Sequence, residues 1–305
     1  MSNARKLADN LPSEGSLSGR NLLTNGAMQI WQRGTSFSAG SAAYNADRWS
    51  VDNNGGGGGQ STDAPNGFTY SLKIDPSSGN AALRQAIELP AAGEGGVFRS
   101  GQKFTLSFYV KSANAGEAIN IFAASGTTVG ATTTAQVNDT STGLTTATSW
   151  TRYTYTFTSN NVGGSDTCYN IVPYVSSPSG ATYWTGFMLE EGSQASPFEH
   201  EPVGVTLSKC QRHYARMYYG SNAENAGYSS SYGDYFPTPV PMRATPSASL
   251  NSTFARYPGG GTVTPTINVY GGPGHAVGLQ TYIRPYVSGN SYNYLEGTIN
   301  VDAEF

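Results

Sequence analysis

The stretch Lys103–Ser112 changes character at every step: Phe104, Leu106, Phe108 and Val110 alternate with Thr105, Ser107 and Lys111. A period of two puts alternate side chains on opposite faces of an extended strand, and no helix face collects them. The same period recurs at 68–74, where Phe68, Tyr70, Leu72 and Ile74 alternate with Thr69, Ser71 and Lys73. It returns at 150–159, with Tyr153, Tyr155 and Phe157 against Arg152, Thr154, Thr156 and Thr158. Further strands are expected at 84–89, 118–125, 168–177 and 182–193. Charged residues make up 12 % of the chain, about half the usual ~25 %, and the helix builders Lys, Glu and Leu are scarce. The expectation is an all-β protein: a polar N-terminal segment, a jelly-roll β-sandwich, a short helix and a second, smaller β-domain.

A chain of 305 residues accommodates two domains of roughly 100–200 residues. Residues 1–20 are small, polar and glycine-dotted, and cannot bury a core alone. Residues 21–203 form the strand-rich domain. Its opening places Leu22, Leu23, Met28, Ile30 and Trp31 around an Asn25-Gly26 turn. The pure glycine run Gly55–Gly59 reads as a loop, and lacks the Lys-Ser/Thr that a phosphate loop requires. Residues 204–305 begin with a helix over 204–220, because Leu207, Cys210, Tyr214 and Met217 fall at helix-face spacing and Gly220 would end it. That face can lie on a sheet or form an oligomer seam against copies of itself. The remainder, 221–305, is β again and closes on a strand with Leu295, Ile299 and Val301.

Charge excludes some functions. The net charge is −3 with pI ≈ 5.6, and no basic patch for nucleic acid is visible. No apolar run suggests a membrane helix, and the first residues lack a signal-peptide core. Cys168 and Cys210 read as free thiols rather than a disulfide framework. The densest cluster of chemistry is 188–214, with four glutamates and two histidines. Glu190 and Glu191 are neighbours on a strand and face opposite ways, so they cannot flank one glycosidic bond. Glu199, His200 and Glu201 sit in an extended linker, and these glutamates are expected to hold a domain joint. His200, His213 and His275 lack zinc-site spacing, and no nucleophile elbow occurs. The chain is therefore read as no enzyme, with no metal and no cofactor.

Carbohydrate recognition is easier to support, because aromatic rings stack on the apolar faces of pyranoses. The candidates are Tyr228, Tyr232, Tyr235 and Phe236 in a Ser- and Gly-rich loop, with Tyr292 and Tyr294 around the "SGNSYN" turn. Packing under long loops or between subunits is the alternative use of these rings. Trp31, Trp49, Trp150 and Trp184 have strand-like surroundings and read as core.

An ordered set of stretches, "GRNLLTNGAMQIWQRGTSF", "ADRW", "FTLSFYVKS", "RYTYTF", "MLEEGSQASPFEHEP", "CQRHY", "PTPVPMRATPS" and the final "DAEF", resembles tail fibres and related appendage proteins of tailed bacteriophages. The resemblance implies a carbohydrate-binding-like jelly roll, a homotrimer, and a virion protein of the phage tail that attaches to host surface polysaccharide. Residues 1–20 would then contact other tail or virion proteins, and 204–305 would carry the receptor-binding tip. A structural virion protein without receptor binding, such as a head decoration or baseplate adaptor, is the alternative. The opening "NLLTNG" also resembles the jelly-roll carbohydrate-binding modules of glycoside hydrolases. Those often hold calcium between first and last strands, but here Gln29, Thr185 and Gly186 stand where acidic ligands would be expected.

Overall fold

A computed structural model describes residues 19–38, 43–52, 56–76, 78–90, 96–132, 134–160, 162–222, 235–251, 254–257, 262–271, 280–286 and 294–304. The chain divides into two compact units, one ending at Glu201 and one spanning Pro202–Glu304. The expected attachment segment lies, but for its last two residues, outside the described residues.

The strands of the first unit are β1 (Ser36–Phe37), β2 (Ala43–Tyr44), β3 (Ser50–Asp52), β4 (Gly57–Ser61), β5 (Ser71–Asp75), β6 (Ala81–Glu88), β7 (Lys103–Ser112), β8 (Ala118–Gly126), β9 (Thr134–Thr145), β10 (Thr151–Thr158), β11 (Cys168–Val175) and β12 (Thr182–Glu191). They form two six-stranded sheets, ordered β1-β4-β5-β12-β7-β10 and β2-β3-β6-β11-β8-β9, and every pairing is antiparallel. From β5 onward the chain changes sheet at each step except the β8–β9 hairpin, which is the winding of a jelly-roll sandwich. The alternation read in the sequence sets the core. Phe104, Leu106, Phe108 and Val110 are fully buried with Leu72, Ile74, Tyr169, Ile171 and Trp184.

Two local readings change. The Gly55–Gly59 run is not a loop throughout, since Gly57–Ser61 is strand β4 between β1 and β5. A Cβ on Gly58 would collide with the Lys73 carbonyl and the Phe37 ring, so glycine here admits close strand approach. The opening Asn21–Arg33 forms no strand. Asn25 has φ +57°, and its buried amide donates to the Ile30 and Asp47 carbonyls, both at 3.0 Å. Its oxygen accepts from Gln29 N at 2.8 Å and Ile30 N at 3.1 Å. One side chain thus takes over the hydrogen bonds that a sheet ladder would have supplied.

The second unit opens with helix α1 (Val203–Gln211), followed by β13 (Tyr214–Asn222), β14 (Phe236–Pro237), β15 (Ser247–Leu250), β16 (Phe254–Tyr257), β17 (Thr262–Val263), β18 (Thr266–Gly271), β19 (Thr281–Tyr286) and β20 (Tyr294–Asp302). The expected helix over 204–220 is therefore half as long, and no helix face joins Leu207, Cys210, Tyr214 and Met217. Tyr214 and Met217 lie on β13, which pairs with β20 from Tyr214↔Asp302 to Asn222↔Tyr294. Ala215, Met217 and Tyr219 point to the core, while Arg216 and Tyr218 are outward. Strand β20 is central, flanked by β13 on one side and by β15 and β16 on the other. A three-stranded sheet, β14-β19-β18, contributes Ile283, Phe236, Ile267 and Val269 to the same small core as Tyr219, Ile299 and Val301.

Candidate functional site

Glu190, Glu191 and Glu199 each accept hydrogen bonds from different segments of the first unit. Glu190 is buried and accepts from Ser196 N and Oγ, both at 2.8 Å. Glu191 is exposed and accepts from the Gln102 amide. The Glu199 carboxylate accepts from the backbone N–H groups of Gly19 at 2.6 Å and Arg20 at 2.9 Å. His200 lies against Phe68 and Phe198, with ring centroids at 5.2 and 4.8 Å. Glu199 thus fastens the end of the first unit to Gly19 and Arg20, while Glu190 and Glu191 bind other partners.

Amide groups join the chain's opening segment to β12. Asn21 Nδ2 donates to the Phe187 carbonyl at 2.9 Å, and its Oδ1 accepts from Leu189 N at 3.0 Å. Phe187 N donates to the Gly26 carbonyl at 3.0 Å. Among the described residues no group of three or more His, Cys, Asp or Glu stands together as metal ligands. Cys168 and Cys210 are both free and buried.

The aromatic candidates separate by face. Tyr228, Tyr232 and Tyr292 lie outside the described residues, and Tyr294 opens β20 opposite Asn222 and Tyr257. Phe236 is turned inward: its ring meets Tyr219 at 4.7 Å, in the core of the second unit. Tyr235, just before β14, is 54 % exposed.

Tyr235 has companions that the sequence reading did not name. On the outward face of the three-stranded sheet, Tyr270 pairs with Tyr282 and Asn268 with Arg284, while Pro237 pairs with Tyr282 from the other side. Tyr270 is 38 % and Tyr282 39 % exposed, high for rings on a sheet whose reverse side is core. The Arg284 guanidinium sits 5.1 Å from the Tyr235 ring centroid, a cation–π distance. Tyr235 and Tyr270 meet edge to face at 5.1 Å. Asn268 Nδ2 donates to the Tyr270 hydroxyl oxygen at 3.1 Å. That bond first, then bonds from Arg284 and Tyr235 and the charge of Arg284, hold the Tyr270 hydroxyl below the ordinary tyrosine range. The signal was present as alternation: Asn268 and Tyr270 alternate with Ile267 and Val269, and Tyr282 and Arg284 enclose Ile283.

The tryptophans divide too. Trp49 and Trp184 are fully buried and Trp31 packs at the core edge. Trp150, expected in the core, is half-buried just before β10. Its Nε1 donates to Asp63 Oδ1 at 2.9 Å, and Lys111 Nζ meets Asp63 Oδ2 at 2.6 Å. These contacts tie the loop before β5 to β7 and β10.

No protein-family model matches the chain, and no curated protein is detectably similar to it. Solved structures similar to part of it include a candidate sugar-binding protein of Bacteroides thetaiotaomicron, at 12 % identity and TM-score 0.36, covering 56 % of this chain and all of that one. Another is the enzymatically active domain of tailspike protein 4 of bacteriophage CBA120, at 14 % identity and TM-score 0.32. It covers 57 % of this chain but only 22 % of the tailspike chain. A family 16 carbohydrate-binding module matches at 18 % identity and TM-score 0.29, over 43 % of this chain and 84 % of the module. The sandwich assignment rests on the strand pairing itself.

Proposed function

We propose that this chain binds carbohydrate through the outward face of the β14-β19-β18 sheet, and that it does so as a tail-fibre protein of a phage virion, attaching to host surface glycans without chemistry. The observation that carries the binding reading is one face with Tyr235, Tyr270 and Tyr282 exposed around Arg284 and Asn268. Three aromatic faces supply stacking, and the amide, guanidinium and hydroxyls supply hydrogen bonds to sugar hydroxyls. The attachment role is supported by the ordered sequence stretches that resemble phage appendage proteins.

Single sites of this kind are weak. A homotrimer would raise avidity by ~10²–10⁴ if its sites reach one surface together. Three tests bear on the reading. The purified chain should compete with phage for adsorption to host cells, and Tyr282→Ala should weaken that competition by about 3- to 10-fold. Its mass in solution at micromolar concentration should be three times 32.1 kDa. A chain that leaves adsorption untouched while binding other virion proteins would instead be a head-decoration or baseplate protein. Release of reducing ends from host polysaccharide would make it an enzyme.

A further inference from the structure

We infer that Asn66 is a site of spontaneous deamidation, and that its conversion loosens the ring contacts of Phe68. The sequence holds three Asn-Gly pairs, Asn25-Gly26, Asn54-Gly55 and Asn66-Gly67, and Asn54-Gly55 lies outside the described residues. A glycine after asparagine has no Cβ to shield its backbone nitrogen, so that nitrogen can attack the asparagine side-chain carbonyl carbon. The other two pairs stand in opposite circumstances. Asn25 is 3 % exposed. Its amide nitrogen is held by the Ile30 and Asp47 carbonyls and its oxygen by Gln29 N and Ile30 N, so the side chain cannot turn toward Gly26 without breaking buried hydrogen bonds. Asn66 and Gly67 are both exposed. They are the central residues of a turn closed by Phe68 N, which donates to the Pro65 carbonyl at 3.1 Å, and Gly67 takes φ +92° as a type II turn requires. Neither the Asn66 side chain nor the Gly67 N–H has a hydrogen-bond partner among the described residues. The amide is free to rotate, the attacking nitrogen is not tied, and water reaches both.

In the step itself, Gly67 N bonds to Asn66 Cγ and gives up its proton, the Cγ–Nδ2 bond breaks, and ammonia leaves with that proton. Water then opens the cyclic imide at either carbonyl. Breaking the bond from Gly67 N to Asn66 Cγ gives aspartate. Breaking the bond from Gly67 N to the Asn66 backbone carbonyl carbon gives isoaspartate, with an added methylene in the main chain. Either acid is ionised at neutral pH. A charged and, in isoaspartate, lengthened turn then precedes Phe68, whose ring meets Phe198 at 4.9 Å, His200 at 5.2 Å and Tyr109 at 5.5 Å.

The test ages the full chain in warm, mildly alkaline buffer, folded and in denaturant, with Asn66→Gln alongside. Fragment-ion sequencing reads the amide-to-acid mass change at each pair, and separates Asn54 from Asn66, which share the tryptic peptide between Arg48 and Lys73. An isoaspartyl methyltransferase with a labelled methyl donor marks the isoaspartate. In denaturant, where neither side chain is held, Asn25 and Asn66 should convert within about 3-fold of each other. In the folded chain Asn66 should keep nearly its denatured rate, and Asn25 should convert at least about 100-fold more slowly, because it must first open locally. Ageing should lower the melting temperature of the wild type by about 2–4 °C more than that of Asn66→Gln. An Asn66 that stays an amide in the folded chain while the denatured chain converts would overturn the inference. Equal rates at Asn25 and Asn66 in the folded chain, or acid confined to Asn54, would overturn it too. Conversion of Asn66 with no extra loss of melting temperature would overturn the loosening and leave the modification standing.

Discussion

Single residues in Asn21–Trp49 carry more structure than their local sequence suggests. Gly26 lies so close to the Phe187 carbonyl that a Cβ would overlap it, and its own carbonyl accepts from Phe187 N. Gly26→Ala should therefore cost about 2–3 kcal/mol or more, measured by denaturant unfolding, because backbone rather than a flexible side chain must move. Asp47 is fully buried and accepts from Gln32 N at 2.9 Å and from the Gln32 amide. Burial raises its pKa above 3.8, against the Gln32 bonds and the charges of Arg33 and Arg48. The folded chain thus holds this proton to higher pH than the unfolded one. Its contribution to stability is fully present below pH 3.8 and is lost as pH rises through the folded value. Unfolding free energies of wild type and Asp47→Asn, measured across the acid range, should converge or cross in Asn's favour as pH rises. A difference independent of pH would refute this. Asp63 runs the opposite way. The Lys111 bond first, then Trp150, lowers its pKa, so its smaller, solvent-screened contribution is lost as pH falls.

At the scale of elements, the region after Cys210 shows how period can mislead. Leu207, Cys210, Tyr214 and Met217 fit a helix face by spacing, yet the helix stops at Gln211. The aromatic run Tyr214–Tyr219 suits a strand, and its register with β20 buries Ala215 and Tyr219. The two readings assign opposite tyrosines to the interior: a helix continuing the Leu207–Tyr214 face would bury Tyr218, and the strand buries Tyr219. Tyr219→Ala should cost about 3–5 kcal/mol, while Tyr218→Ala, at a residue 63 % exposed, should stay near 0.5 kcal/mol apart from its Glu296 bond. The reverse order of effects would restore the helix. Strand β4 teaches a related lesson. A glycine run looks like slack chain, yet Gly58 is placed where strands approach too closely for any Cβ, so Gly58→Ala should destabilise the sandwich as Gly26→Ala does.

At the scale of the whole molecule, each unit has its own buried cluster, one around Phe108 and one around Tyr219. Hydrogen exchange should show it: Phe108→Ala should raise exchange mainly before Glu201, and Tyr219→Ala mainly within Pro202–Glu304. A uniform rise from either substitution would mean a single cooperative unit. From the sequence alone it followed that the chain is mostly β, and that Lys103–Ser112 and Thr151–Thr158 are strands whose alternate residues share a face, because side-chain period is a local property of the backbone; strands β9 and β13 were not found that way. The sequence also showed why the glutamate pair of 188–201 could not act on one bond. Only the tertiary structure decided which face is interior, since that depends on partners far away in sequence. It turned Phe236 inward, and set Tyr270 beside Tyr282 and Asn268 beside Arg284 across a dozen or more residues of chain. The exposed tyrosine face is made by that pairing register, since a slip of one residue would turn every side chain of a strand to the other face.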